Sequence, residues 1–369
     1  MALRVEKVIE NLYLIRTEER PFVSNSYLLS LANNGNTVNI LIDPIPLINF
    51  NDLIAVLKEL IGGVENLDII YVNHQDPDVT SSLPGLMSMN KNAMLITSED
   101  TWRLIRMYGL DENRYQAIEH FPNRKVILRT GHSFQFIHTP FCHFRGAFMV
   151  YYPTKRVLFS GDVMGGLITK KEDNIYANKD SWTGIKIFHQ IYIPSKEALR
   201  LTVDRIGRLD PLPELILPQH GDIIKGDLIL EFSKRLNELE VGLDHLLEQE
   251  RKEDTYLYAF NEIIRIFKEK WGESVVREKI ENINSSPYFP ELIHFENGVA
   301  LAFRVSPLSA IEIIYKNFVE DLNPRERENL RAEITGILNK YNLDIPEGIY
   351  EERTSVWDNF RRIFRIFQR

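Results

Sequence analysis

Tyr71-Val-Asn-His-Gln-Asp-Pro-Asp-Val-Thr-Ser-Ser-Leu-Pro84 decides the reading of this chain, because it follows the apolar run Asp68-Ile-Ile-Tyr-Val72 without a break. The run has the content of a buried strand, and the polar residues after it open a loop at that strand's carboxyl end. His74, Asp76 and Asp78 alternate there. An extended backbone sends alternate residues to one side, so one imidazole and two carboxylates can converge on a metal. Several carboxylates with imidazoles suit iron or manganese, whereas thiolate-rich sets suit zinc or iron–sulfur clusters. Taken alone, His-X-Asp-X-Asp is equally compatible with a solvated acidic turn.

Upstream, Val8-Ile9, Leu12 to Ile15, Asn25 to Leu29 and Val38 to Asp43 read as consecutive strands, with Asn33-Asn-Gly-Asn36 marking a hairpin. Leu53, Val56, Leu57, Leu60 and Ile61 recur at helical spacing before the stop at Gly62-Gly63. Downstream, Ala93 to Thr97 is a strand, and a helix from Ser98 to Tyr108 ends at Gly109. Further strands are expected at Lys125–Leu128, Ser133–Ile137, Ala147–Tyr151, Arg156–Ser160 and Glu214–Leu217. Strands first, then helices alternating with strands, imply two sheets with helices packed outside. Lys170 to Gly184 is expected as a polar excursion above the strands, followed by helices Ser195–Gly207 and Asp227–Glu250.

At 369 residues the chain suggests two domains. The charged run Glu248 to Asp254 is the candidate boundary, giving residues 1–250 and 251–369. The second part reads as α+β. Its signals are a helix over Tyr256–Trp271, a hairpin over Leu292–Val305 turning at Asn297-Gly298, and a helix opened by Asn323-Pro-Arg-Glu326. At the end, Trp357, Phe360, Ile363, Phe364 and Phe367 form an apolar stripe among Arg361, Arg362, Arg365 and Arg369. Docking on its own domain or on a second subunit is favoured for this stripe over an acidic membrane surface.

Hydrophobic residues make up 44% of the chain, which argues against disorder. The single cysteine, Cys142, excludes an internal disulfide and any cysteine-built zinc or iron–sulfur site, so the cytoplasm is the expected compartment. The amino terminus lacks a signal-peptide core and no run approaches a membrane span. A net charge of −8 argues against a general nucleic-acid binder.

Three later positions repeat the plan of an apolar strand that stops at a ligand-capable residue: His143, Asp162 and His220. His-X-acid-X-Asp, a mid-chain His, Ser-Gly-Asp and Pro-X-His-Gly together resemble the metallo-β-lactamase superfamily over roughly residues 5 to 250. Hydrolases of that superfamily usually carry His-X-His-X-Asp-His. Asp76 puts an acid in the second place, which is similar to the flavodiiron proteins. Asn73 to Pro84, Tyr192-Ile-Pro-Ser195 and Pro218-Gln-His-Gly221 resemble the oxygen-binding di-iron proteins, flavodoxin-less relatives of the flavodiiron proteins.

The resemblance implies an α/β class, with an αββα metallo-β-lactamase-like sandwich followed by a smaller α+β domain of unassigned role. It further implies that His74, Asp76 and His143 hold one iron, Asp78 and His220 hold a second, and Asp162 bridges them. Three carboxylates would offset three of the four charges of two ferrous ions. Val79 departs from the pattern, because a histidine usually follows the second aspartate. Either one iron is under-coordinated, leaving room for water or dioxygen, or the second site is weak.

Flavodiiron proteins reduce dioxygen or nitric oxide with electrons from a flavin domain. The segment after 250 has no Ser/Thr-rich phosphate loop and is short for a flavodoxin, so no FMN is expected within this chain. An oxygen-binding or oxygen-sensing di-iron protein is therefore the leading expectation, with a signalling or electron-donor protein as partner and a homo-oligomer as assembly. A flavodiiron-type oxidoreductase of dioxygen or nitric oxide and a binuclear metallohydrolase are the alternatives.

Among other residues, His132 and His138 flank a strand and are expected to be structural, as is Asp43. His120, His189, His245 and His294 are read as surface or core. Cys142 is expected to be buried. Tyr27, Phe144 and Tyr151 are candidates for lining the pocket, against the plainer reading that they are core.

Overall fold

Neighbouring residues on two paired strands face opposite ways, and here both directions are apolar: Leu28 and Leu41 lie on one side, Leu29, Ile40 and Ile42 on the other, all buried. A sheet made of such strands needs a layer on each face. The computed structural model describes residues 3–168, 174–285, 291–320 and 322–350. The chain divides into two compact units, Met1–Asp244 and His245–Arg369.

In the first unit one sheet has the order β1 (Arg4–Ile9), β2 (Leu12–Arg16), β3 (Asn25–Asn33), β4 (Asn36–Ile42), β5 (Ile69–Tyr71), β6 (Met94–Thr97) and β7 (Tyr115–Ala117). The other runs β13 (Ile224–Lys225), β12 (Leu215–Pro218), β11 (Val157–Gly161), β10 (Phe148–Tyr152), β9 (Ser133–His138) and β8 (Lys125–Ile127). Leu14, Leu29, Ile40 and Ile42 of the first sheet meet Phe136, Val150, Phe159 and Leu217 of the second in a shared core. Helices α1 (Phe50–Ile61), α2 (Pro77–Thr80), α3 (Leu83–Met89) and α4 (Glu99–Ile105) cover the outer face of the first sheet, with Leu53, Leu57, Leu83 and Trp102 against Leu28, Leu41 and Ile70. Helices α5 (Ser181–Tyr192), α6 (Lys196–Gly207) and α7 (Asp227–Glu238) cover the second, with Ile185, Leu199 and Phe232 against Met149, Leu158 and Ile216. The result is the expected αββα sandwich.

Strands β4 to β7 pair in parallel, and so do β11 and β12. Parallel strands end on the same edge, and that edge receives the loops after β5, β11 and β12. The helix signals hold locally: Gly62 caps α1 in the left-handed region at φ 86°, and the Ser98 hydroxyl caps α4.

Several expectations need correction. Strands β7 and β13 have no counterpart in the sequence reading, being three and two residues long. The expected helix Asp227–Glu250 is broken, because α7 ends at Glu238 and a new helix, α8 (Gly242–Trp271), starts after the buried Val241. The charged run Glu248 to Asp254 is helical within α8 and does not interrupt it. Of the polar excursion, Ser181 onward is already α5, and residues 169–173 lie outside the described residues.

The second unit is α+β, as expected. Tyr256, Phe260, Ile263 and Phe267 of α8 pack with α9 (Glu273–Asn284), α10 (Pro307–Val319) and α11 (Pro324–Lys340) over the antiparallel pair β14 (Ile293–Glu296) and β15 (Val299–Phe303). Asn297 and Gly298 turn that hairpin with φ of 52° and 78°. Asn323 and Glu326 close a capping box on α11. A short α12 (Glu347–Tyr350) follows, and the apolar stripe from Trp357 to Phe367 lies outside the described residues. Among the described residues no helix is long and apolar enough to cross a membrane.

Candidate metal centre

The loop after β5 is not extended throughout, contrary to the sequence reading. Pro77 occupies the first position of α2 with Asp76 as its N-cap residue, so the backbone turns helical between the two aspartates. That turn separates their directions. Asp76 Oδ2 lies 3.1 Å from His143 Nε2, whereas Asp78 Oδ2 lies 3.1 Å from His220 Nε2.

Each of the remaining side chains is set by the end of a strand. His74 follows β5, and the Asn73 N–H beside it donates to Asp43 Oδ1 at 2.8 Å. Asp43 is therefore structural as expected, and burial pushes its carboxyl up to about 7 although His74 and the Asn73 bond oppose it. His143 sits in the β9–β10 loop, where Thr139, Phe141 and Cys142 N–H groups all find carbonyls within the loop. Asp162 leaves β11 after Gly161, whose φ of 61° turns the chain. His220 leaves β12, and its Nδ1 donates to the Val23 carbonyl at 2.7 Å, which fixes the ring and frees Nε2.

Asp162 is the centre of the arrangement. Its Oδ2 lies 3.0 Å from His143 Nε2 and 3.6 Å from His74 Nε2, and its Oδ1 lies 3.7 Å from His220 Nε2. The candidate ligand atoms of His74, Asp76 and His143 all fall within 4.8 Å of one another. All six sequence-selected residues thus meet at one edge of the sandwich, divided into a His74–Asp76–His143 half and an Asp78–His220 half that share Asp162.

Burial alone would raise the Asp162 carboxyl, but the charges of His74, His220 and His143 and the bond to His143 outweigh it and hold it below the usual range. Burial likewise opposes protonation of His143, yet its bonds to Asp162 and Asp76 push it up to about 10. His220 is raised against its own burial by Asp78 and Asp162. His143 beside Asp76 and Asp162, and His220 beside Asp78 and Asp162, thus hold positive charge strongly. Asp162 Oδ1 remains buried with no hydrogen-bond donor. A cation between the two halves would satisfy it, so the donor set fits a two-metal group with nitrogen and oxygen ligands and no sulfur.

Val79 is 1% exposed and packs in the core under the outer helices with Leu28 and Leu83, so it offers the site nothing. Cys142 is buried as expected, its thiol against Thr202 and the Ala198 carbonyl, and burial raises it to about 12. His189 is a core residue, with Nδ1 on the Ile185 carbonyl and Nε2 accepting from the Met164 N–H. His120 and His138 face Glu99 and Glu119, His132 faces Thr130, and His294 lies between Glu291 and Glu296. The side chain of His245 lies outside the described residues.

Tyr27 and Tyr151 are core, with hydroxyls on the carbonyls of Pro218 and Pro211, and Phe144 is half-buried. The aromatic residues that do border the site are Phe22, Phe188 and Tyr192. Phe22 and Phe188 stand 4.1 and 5.3 Å from the His220 ring, and Tyr192 stands 6.0 Å from that of His143. Phe188 is buried, Phe22 half-buried and Tyr192 exposed. Tyr192 opens the Tyr192-Ile-Pro-Ser195 motif, whereas no signal in the sequence marks Phe22 or Phe188.

Solved structures share this architecture. A chemotaxis sensor ODP, described in its peroxy diiron species, is 25% identical with a TM-score of 0.55, covering 67% of this chain and 99% of that one. The apo state of the chemotaxis sensor ODP from T. denticola is 24% identical with a TM-score of 0.55, covering 67% and 98%. A point mutant of the flavo di-iron protein from Thermotoga maritima is 21% identical, also at 0.55, covering 64% of this chain and 60% of that one. An uncharacterised protein of Methanocaldococcus jannaschii is 28% identical over 228 residues, which span 58% of this chain and about half, 52%, of that relative. The model of the ODP family beta lactamase matches residues 22–221, which carry all six converging side chains, and the chain belongs to that family.

Proposed function

We propose that this protein is a non-haem di-iron protein that binds dioxygen, as an oxygen-binding or oxygen-sensing protein of the cytoplasm. The observation that carries the reading is Asp162, with one oxygen turned to His74 and His143 and the other to His220. In this reading His74, Asp76 and His143 hold one iron, Asp78 and His220 hold the other, and Asp162 bridges. Two ferrous ions, when bound, supply the electrons with which dioxygen is held.

The protein's own contribution is the pocket. The Asp78–His220 half has fewer donors than the other because Val79 is committed to the core, so an ion held there would keep a coordination position for a small ligand. Phe22 and Phe188 beside His220 make that surface apolar, which suits a neutral diatomic molecule such as dioxygen or nitric oxide. The second unit, in a homo-oligomer, would pass the bound state to a signalling protein.

The test is anaerobic purification, metal analysis and titration with oxygen followed by optical spectroscopy. Two irons per chain with a stable spectral change and no turnover are expected. Sustained oxygen or nitric oxide consumption with a separate electron donor would replace sensing by reduction. Zinc-dependent phosphodiester or thioester cleavage, abolished by His74→Ala, would replace both.

A further inference from the structure

Gln219 immediately precedes His220 and is 1% exposed. Its backbone is held from both sides, the N–H by the Gly161 carbonyl at 2.5 Å and the carbonyl by the Asn25 N–H at 2.6 Å. The side chain reaches Asp78, with Nε2 2.6 Å from Asp78 Oδ2. A carboxylate only accepts, so the amide nitrogen is the end that faces it. The same Asp78 oxygen lies 3.1 Å from His220 Nε2. The amide oxygen, Oε1, is buried and has no hydrogen-bond partner.

An amide buried at this depth with one end unused is a poor packing residue, since an aliphatic side chain would fill the same space without desolvating an acceptor. The end that is used acts on one thing, the carboxylate of Asp78. Without a partner that carboxylate could rotate about its last bond, and no donor at position 79 shares the work of organising this half. We infer that Gln219 is the positioning residue of the Asp78–His220 half of the centre, fixing Asp78 by a hydrogen bond where the chain offers no further ligand. The inference rests on the two-metal reading above and adds a determinant of how firmly the second ion is held.

The experiment titrates the metal-free full-length protein with ferrous iron under anaerobic conditions, in the wild type, Gln219→Leu, Gln219→Met, Asp78→Ala and the Gln219→Leu/Asp78→Ala pair. Iron-57 Mössbauer spectra report the two ions separately, and thermal unfolding of each metal-free variant reports folding. Gln219→Met keeps the length of the side chain and decides the matter should Gln219→Leu fail to fold. The expected result is two ions in the wild type. In Gln219→Leu the first ion keeps its affinity and the second is weakened about ten- to hundredfold, the usual effect of losing a partner of a metal ligand. Because Gln219 acts through Asp78, its loss should add nothing in the Asp78→Ala background, which has no acceptor for it. Undiminished binding of both ions in the Gln219 variants overturns the inference and leaves the di-iron reading standing. Equal weakening of both ions, or a further loss on top of Asp78→Ala, assigns Gln219 a structural role and overturns it as well. A wild-type protein that takes up fewer than two ions overturns the di-iron reading and this inference together.

Discussion

Oδ2 of Asp162 stands 3.0 Å from Nε2 of His143, although the two residues leave strands on either side of β10 and are brought together only at the edge of the sheet. The other oxygen of the same carboxylate faces His220. One side chain therefore serves both halves of the centre. Asp162→Ala should lower the affinity for both ions by more than the roughly ten- to hundredfold that the loss of a mere partner of a ligand costs, and leave less than one iron per chain after desalting. Metal analysis on the variant and the wild type side by side checks this. Retention of one full iron would show that the halves are independent.

The histidines of the metal-free protein should make its stability fall with rising pH. His143 is raised to about 10 by Asp162 and Asp76, so the folded chain keeps a proton that the unfolded chain releases near 6.5. The stabilisation is complete below about 6.5 and is lost as pH climbs toward about 10. One proton allows a slope of up to about 1.4 kcal/mol per pH unit, and His220, raised by Asp78, adds in the same direction. The depressed carboxyls of Asp76 and Asp162 are the other side of the same pairs, and their share is lost only on acidification. Denaturant unfolding with chelator at pH 6.5 and 9.5 measures the fall. Saturating iron should abolish it, because the metal takes the place of the protons.

The six converging residues were legible in the sequence because each lies in a segment that follows an apolar strand-like run, although His143 stands in the β9–β10 loop and Asp78 on the turn of α2. What was not legible depends on contacts between distant segments. The alternation of His74, Asp76 and Asp78 suggested one extended face, but Pro77 starts a helical turn and sends the two aspartates to different histidines. Phe188 and Tyr192 stand one turn apart on α5, but Phe22 lies far from them along the chain, and the three become a wall only when α5 packs over the loop before β3. Gln219 lies in the Pro218-Gln-His-Gly221 motif, but its contact with a residue 141 positions away emerges only from the 2.6 Å approach to Asp78. Two-residue β13 and three-residue β7 are too short for any periodicity to mark.

Val79 separates stability from metal binding. It is buried among apolar side chains of the outer layer, so Val79→Ala should destabilise the protein without changing its iron content. Removing two methyl groups from a packed core costs about 2 kcal/mol. Thermal and denaturant unfolding should register that loss, and metal analysis should still return the wild-type iron content. A drop in iron content would mean that the packing beneath α2 sets the position of Asp78.

Gly221 carries the strictest steric requirement beside the centre. Its φ is 81°, and a Cβ there would stand 2.7 Å from the carbonyl oxygen and 2.9 Å from the nitrogen of Gly166. The residue cannot retreat, because its own carbonyl accepts from Arg16 Nη2 at 2.6 Å and from Asn25 Nδ2 at 2.9 Å. Nor is Gly166 free to yield, since its N–H donates to the His220 carbonyl at 3.2 Å. Gly221→Ala should therefore combine left-handed strain of about 1 kcal/mol or more with a backbone clash, and the total should exceed about 2 kcal/mol. The displacement falls on His220, so the ion held by Asp78 and His220 should be lost before the ion held by His74, Asp76 and His143. Gly207→Ala is the control: it ends α6 in open space with nothing within 4 Å of the added carbon. Unfolding midpoints and iron per chain should be lowered in Gly221→Ala, while Gly207→Ala keeps its iron and is at least as stable as the wild type. Equal behaviour of the two variants would mean that the Pro218–Gly221 turn bends without moving His220.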